Sequence, residues 1–189
     1  MIPEGEERGL LHLRIGEVVL KCCMNDEDPL LFLAVDQTNR GLNFVTDERQ
    51  KVELAKLNLK VAKLAKARSA YFPASQYLRK ARGLLEKECR WRKYYNLALE
   101  LASLGAEMEY CSGDFLMCNE LFDEVLAFSV SRRDCLRAYY AKIESLRARG
   151  WLLDALDLGF KFLLQFKISF PKKPSTIHII TSLVRATSL

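Results

Sequence analysis

Two of the six cysteines, Cys111 and Cys118, lie in EYCSGDFLMCNELF (residues 109–122), with a Gly-Asp pair between them and carboxylates on both sides. Thiols among carboxylates are the raw material of a metal centre or a redox site. Zinc needs about four Cys or His ligands at close spacing. Here two thiols straddle a turn signal, no C-x-x-C occurs, and the only histidines, His12 and His178, are remote. A redox-active thiol needs an electropositive setting, whereas Glu107, Glu109, Asp114 and Glu120 surround these two with negative charge. Cys89, beside Lys87, Arg90 and Arg92, is better placed for reactivity. Adjacent Cys22 and Cys23 and the wide scatter of the rest give no disulfide framework. Buried free thiols are expected.

Other reaction chemistry fares no better. The cluster Asn25-Asp26-Glu27-Asp28 lacks the spaced ligands and central glycine of a calcium loop, so a solvated helix cap is expected. Neither His12 nor His178 accompanies a recognisable nucleophile motif, and paired-carboxylate chemistry competes with acids spaced regularly on polar helix faces. There is no G-x-x-x-x-G-K-[ST], no H-R-D and no D-F-G. The expectation is a non-enzyme with no catalytic residues, no metal and no cofactor.

Charge is the most informative pattern. From Arg49 to Lys93 there are fourteen basic residues against three acids, and from Tyr94 to Ser131 seven acids with no lysine or arginine. Arg49, Lys56, Lys60 and Lys63 fall on one helical stripe opposite leucines. Arg79, Arg82, Arg90 and Arg92 follow, interleaved with Trp91, Tyr94 and Tyr95. These eight cations are the candidate partner-binding residues. Three readings compete: a solvated face, a phosphate-holding face for nucleic acid, or an internal match with the acidic block carrying Glu100 and Glu107.

The elements that would position these residues read as helices. Leucine, alanine, lysine and glutamate dominate. Apolar stripes at helical spacing run through Leu54-Leu57-Val61-Leu64, Leu97-Leu101-Leu104-Met108-Cys111, Phe115-Cys118-Phe122-Val125, Leu136-Tyr140-Ile143-Leu146 and Leu152-Leu156-Gly159-Leu163-Phe166. No stretch alternates with period two, so no strand is expected. Pro29 opens a helix that Gly41 closes, Thr46-Asp47-Glu48 is a cap followed by acids, Pro73 sits at another start, and Ser169–Pro174 breaks the chain before a cap at Ser175 or Thr176. About nine helices result. Three joints align: SAYFPA (69–74), GDFLMC (113–118) and GWLLDA (150–155). Each has a small residue (Ser69, Gly113, Gly150), then a large apolar one two places on (Tyr71, Phe115, Leu152), then another small one (Ala74, Cys118, Ala155). The small residue turns the chain, the large one plugs the gap between helices, and the second small one lets them approach. The fold expected is all-α: antiparallel helix pairs stacked as a tetratricopeptide-like right-handed solenoid. No apolar run approaches the roughly 20 residues of a membrane span. The acidic start, MIPEGEERGLL, does not read as a secretory signal, so a cytoplasmic location is expected.

IPEGEERGLLHLRIGEVVL, LAVDQTNRGLNFVTDERQKVELAKLNLKVAKLAKARSAYFPASQYLRKARGLL, EYCSGDFLMCNELFDEVL and RARGWLLDALDLG together resemble the helical region of large multidomain signal-transduction ATPases. In that family protein-kinase and AAA/STAND-type ATPase domains precede a helical superhelix, and sensor with histidine-kinase or cyclase domains often follow. HLRIG, TDER, LNL-x-x-x-x-x-AK and SAY carry the resemblance as a series. The family's nucleotide-binding loop lies upstream of this region and is not carried over. The resemblance implies an excised segment, a partial gene product or a diverged stand-alone remnant. The helix and joint signals divide it into an N-terminal helix pair (1–45), repeats (46–168), and a linker with the start of a truncated further helix (169–189). Its expected function is a regulatory scaffold that binds a protein partner or couples an ATPase module to an output domain. The alternative is a nucleic-acid-binding module using residues 49–93.

Overall fold

The computed structural model describes residues 5–24, 29–168 and 181. The described residues form nine α-helices: α1 (Glu6–Cys22), α2 (Leu30–Arg40), α3 (Glu48–Ala67), α4 (Tyr71–Leu84), the single turn α5 (Arg90–Lys93), α6 (Tyr95–Cys111), α7 (Phe115–Phe128), α8 (Leu136–Ala148) and α9 (Leu152–Gln165). No strand occurs among the described residues. The Asn25–Asp28 cluster, the Ser169–Pro174 break, the Ser175 or Thr176 cap and His178 lie outside them.

Helix starts and stops follow local chemistry. Gly41 caps the C-terminus of α2. Asp47 caps α3 by accepting from the Gln50 N–H at 2.8 Å, with Glu48 in the first turn at the positive end of the helix dipole. Pro73 lies in the first turn of α4, where a missing N–H costs nothing. The basic run that reads continuously from Arg79 to Lys93 is broken at Leu85, so its arginines divide between α4 and α5.

The three joints share one geometry. Ser69, Gly113 and Gly150 take φ of 59°, 84° and 79°, the left-handed conformation of a Schellman cap. In each, the next residue donates its N–H back across the turn: Ala70 to Ala65 O (2.9 Å), Asp114 to Glu109 O (2.9 Å), Trp151 to Leu146 O (3.0 Å). The following helix then starts at once, through Ala74 to Ala70 O, Cys118 to Asp114 O and Ala155 to Trp151 O. Ala74, Cys118 and Ala155 are buried, as the close approach requires. The large residue is not the plug it was expected to be, because Tyr71 and Leu152 are exposed and Phe115 is half-buried.

Helix hairpins α1/α2, α3/α4, α6/α7 and α8/α9 pack within themselves, and α6 also meets α4 and α8. Two cores share α6. Leu101, Leu104 and Met108 pack with α2, α3 and α4, while Ala98, Ala102 and Ala106 pack with α7, α8 and α9. In the second core Phe122 meets the edge of Tyr139 at 5.1 Å, and Tyr139 stacks on Phe162 at 4.0 Å.

Two expected faces are corrected. α8 buries Ala138, Tyr139, Ala141, Ser145 and Leu146 and leaves Leu136 and Tyr140 exposed. α9 buries Ala155 and Phe162 and leaves Leu152 and Leu156 exposed. Helices that approach closely meet through small residues, so stripes drawn through the largest side chains point elsewhere. No described helix is long and apolar enough to cross a membrane.

Candidate functional site

The basic third and the acidic fifth of the chain face each other. α3 and α4 carry the cations, and α6 and α7, packed beside them, carry the carboxylates. Lys63 on α3 reaches Glu100 on α6 at 2.6 Å. Glu107 on α6 pairs with Lys66 of α3 and with Arg137 of α8, the latter at 2.9 Å, so one carboxylate bridges three helices. On the other side of α6, Arg79 donates from Nε and Nη2 to the two oxygens of Glu109 at 2.7 and 2.6 Å. Glu109 is only 1% exposed. Nη2 of Arg79 also reaches Asp114 at 2.7 Å, while Asp114 caps α7 by accepting from the Met117 N–H.

The densest cluster surrounds Glu124 on α7. Oε2 accepts from Nη2 of Arg82 at 2.6 Å. Oε1 accepts from Nη2 of Arg90 at 2.6 Å, Nε of Arg90 at 3.1 Å and the Trp91 indole N–H at 2.7 Å. Trp91 in turn stacks on Phe128 with ring centroids 5.4 Å apart. These groups form the floor of a cleft of about 710 Å³, rimmed by Lys87, Glu88, Glu120 and Asp123. The short helix α5 exists to deliver Arg90 and Trp91 there, and both are buried.

The carboxylates titrate accordingly. For Glu124, burial disfavours the charged form, but the Trp91 N–H, Arg82 and Arg90 outweigh it and hold the carboxyl below its usual range. Glu107 behaves likewise: burial is overcome by Lys66 and Arg137. Asp114 is lowered first by the Met117 N–H and then by Arg79.

The eight candidate cations therefore divide. Arg79, Arg82, Arg90 and Lys63 are engaged with carboxylates of the neighbouring helix pair. Lys56 pairs along its own helix with Glu53 at 2.7 Å. Arg49 and Arg92 are exposed and form no ion pair with the described residues, and Lys60 is half-buried on α3. Nothing in the sequence singles out Glu124, and the pairings of Glu109 with Arg79 and of Trp91 with Glu124 are not legible there. Their partners lie about thirty or more positions away, and only the reversal of charge sign between the two blocks hints at them.

Three thiols, Cys89, Cys111 and Cys118, are pushed toward the protonated form. Burial pushes Cys118 up to about 11 and raises Cys111. Cys89 loses its favourable basic setting: its thiol donates to Glu86 Oε2 at 2.8 Å, and that carboxylate raises its pKa. His12 bonds Gln37 across α1 and α2 at 2.7 Å. No group of three His, Cys, Asp or Glu among the described residues is arranged to hold a metal ion.

No protein-family model, curated protein or solved structure matches this chain.

Proposed function

We propose that the chain is a non-catalytic helical-repeat scaffold, a tetratricopeptide-like right-handed array of helix pairs. It holds protein partners, or couples neighbouring domains of a larger cytoplasmic signalling ATPase or kinase. The observation that carries this reading is the ion-pair seam: Arg79, Arg82 and Arg90 act as mortar between one helix pair and the next. Repeated Schellman joints at Ser69, Gly113 and Gly150 support the same reading, because a repeated joint makes a repeated unit. The link to signal-transduction ATPases rests on the sequence resemblance. Incubated with ATP and magnesium, the purified chain is expected to show no turnover above background; reproducible hydrolysis would contradict the scaffold.

A second reading, nucleic-acid binding, is favoured by the outward placement of Arg49 and Arg92. Duplex DNA and RNA binding measured against salt separates the two. A steep linear loss of log affinity with log salt supports the nucleic-acid module, and no detectable binding at low salt ends it.

A further inference from the structure

The cleft over Glu124 reverses the sign of charge that the chain carries as a whole. Its floor is settled: Arg82 and Arg90 are both engaged with Glu124, and the Trp91 indole N–H goes to the same carboxylate. Its rim is not. Glu88, Glu120 and Asp123 are exposed and form no ion pair or hydrogen bond with the described residues, and Lys87 is the one cation beside them on the described rim. Four carboxylates against three cations therefore line the cleft, in a chain whose net charge is +5.

One wall is a face of α7, on which Glu120, Glu124 and Phe128 recur at i, i+4 and i+8. Phe128 is 53% exposed. Its ring lies nearly parallel to the buried Trp91, at 15° with centroids 5.4 Å apart, so Trp91 backs one face and holds the ring in place. A fixed aromatic ring beside unpaired carboxylates offers a cation two attractions at once, the ring quadrupole and the carboxylate charge. An anion would have to pass three carboxylates to reach arginines that already share a partner. Among cations, guanidinium suits the site better than ammonium: it is planar, weakly hydrated, and carries forked donors. From Glu120 to Phe128 the helix rises about 12 Å, the span of about four extended residues. The cleft volume of about 710 Å³ is in the range of ligand pockets.

Resting on the reading of the chain as a scaffold for protein partners, we infer that this cleft binds a basic, arginine-bearing segment of a partner protein. One guanidinium lies on Phe128, and the remaining positive charge of the segment runs along Glu120, Asp123 and Glu88.

Titration of the full isotope-labelled chain with end-blocked tetra-arginine tests this, read by NMR at the indole N–H signals of the two tryptophans. Trp91 lies in the cleft, and the exposed Trp151, at the joint between α8 and α9, is the internal control. The Trp91 signal is expected to shift and saturate with a midpoint of about 0.1–1 mM, the range of weak association, while Trp151 stays in place. The double variant Glu120→Gln/Asp123→Asn changes only exposed positions and is expected to weaken binding about fivefold or more. Phe128→Leu keeps an apolar group over Trp91 and is expected to weaken it about threefold. Circular dichroism checks that both variants keep their helicity. No shift at Trp91 overturns the arginine site. So does an equal shift from tetra-glutamate or from a short oligonucleotide, or a charge-neutralised variant that binds as wild type does. Each of these results leaves the scaffold standing, which fails instead on ATP turnover.

Discussion

Glu124 shows how a single residue can decide what a charged region is for. It accepts from Arg82, Arg90 and Trp91 at once, so two largely buried guanidinium groups share one carboxylate as their partner inside the protein. Removing the carboxylate leaves them unpaired, which costs far more than the pair contributes net. Glu124→Ala is therefore expected to lower unfolding free energy by about 3 kcal/mol, while Lys56→Ala, which removes only an exposed pair within α3, changes it by less than about 0.5 kcal/mol. Urea denaturation of both variants checks the contrast. The same carboxylates set the acid response. Glu124, Glu107 and Asp114 have folded-state pKa values below their unfolded ones. Their contribution is thus present above the unfolded values, about 4.3 for Glu and 3.9 for Asp. It is lost as pH falls through the lowered folded values. Denaturation midpoints are expected to hold between pH 7 and 5 and to drop steeply below about pH 4, with a shallower drop in Glu124→Gln.

At the scale of elements the joints carry the account. Gly113 and Gly150 turn the chain with positive φ, and a Cβ there meets no neighbour, so substitution acts through backbone strain alone. Gly150→Val is expected to cost about 1 kcal/mol or more. Ser69 adopts the same conformation with a side chain, and Ser69→Gly should relieve strain of about 1 kcal/mol against a glycine entropy cost of about 0.5–1 kcal/mol. Thermal unfolding of the pair is expected to show a clear loss for the first and a change near zero for the second. Joints like these were legible in the sequence because turn chemistry is local: Gly-Asp and Arg-Gly declare themselves within a few residues. Burial was less legible. The apolar stripes of α8 and α9 point to core along their length, whereas Ala138, Ala141 and Ala155 form the contact faces, and Leu136 of α8 and Leu152 and Leu156 of α9 lie open. Sequence periodicity locates an apolar face but not whether another helix covers it. The charge blocks were visible as blocks, and their mutual attraction was one of three readings. Which arginine meets which carboxylate depends on helix packing across about thirty to forty residues and could not be read from spacing.

For the whole molecule, α6 is the keystone. It contributes Leu101, Leu104 and Met108 to one core and Ala98, Ala102 and Ala106 to the other, and its Glu107 and Glu109 receive cations from helices on both sides. The described helices are held by nearest-neighbour contacts, with α6 in the middle and α1 and α9 first and last among those described. Local opening should follow that order. The measurement that tests the array most directly is native-state amide hydrogen exchange, read residue by residue in dilute solution. Protection is expected to be greatest in α6, to fall through α4 and α7, and to be least in α1 and α9. Gly150→Val should lower protection in α8 and α9 while sparing α3. Equal protection from α1 to α9, or a loss at α3 as large as that at α9 in Gly150→Val, would contradict an array of helix pairs.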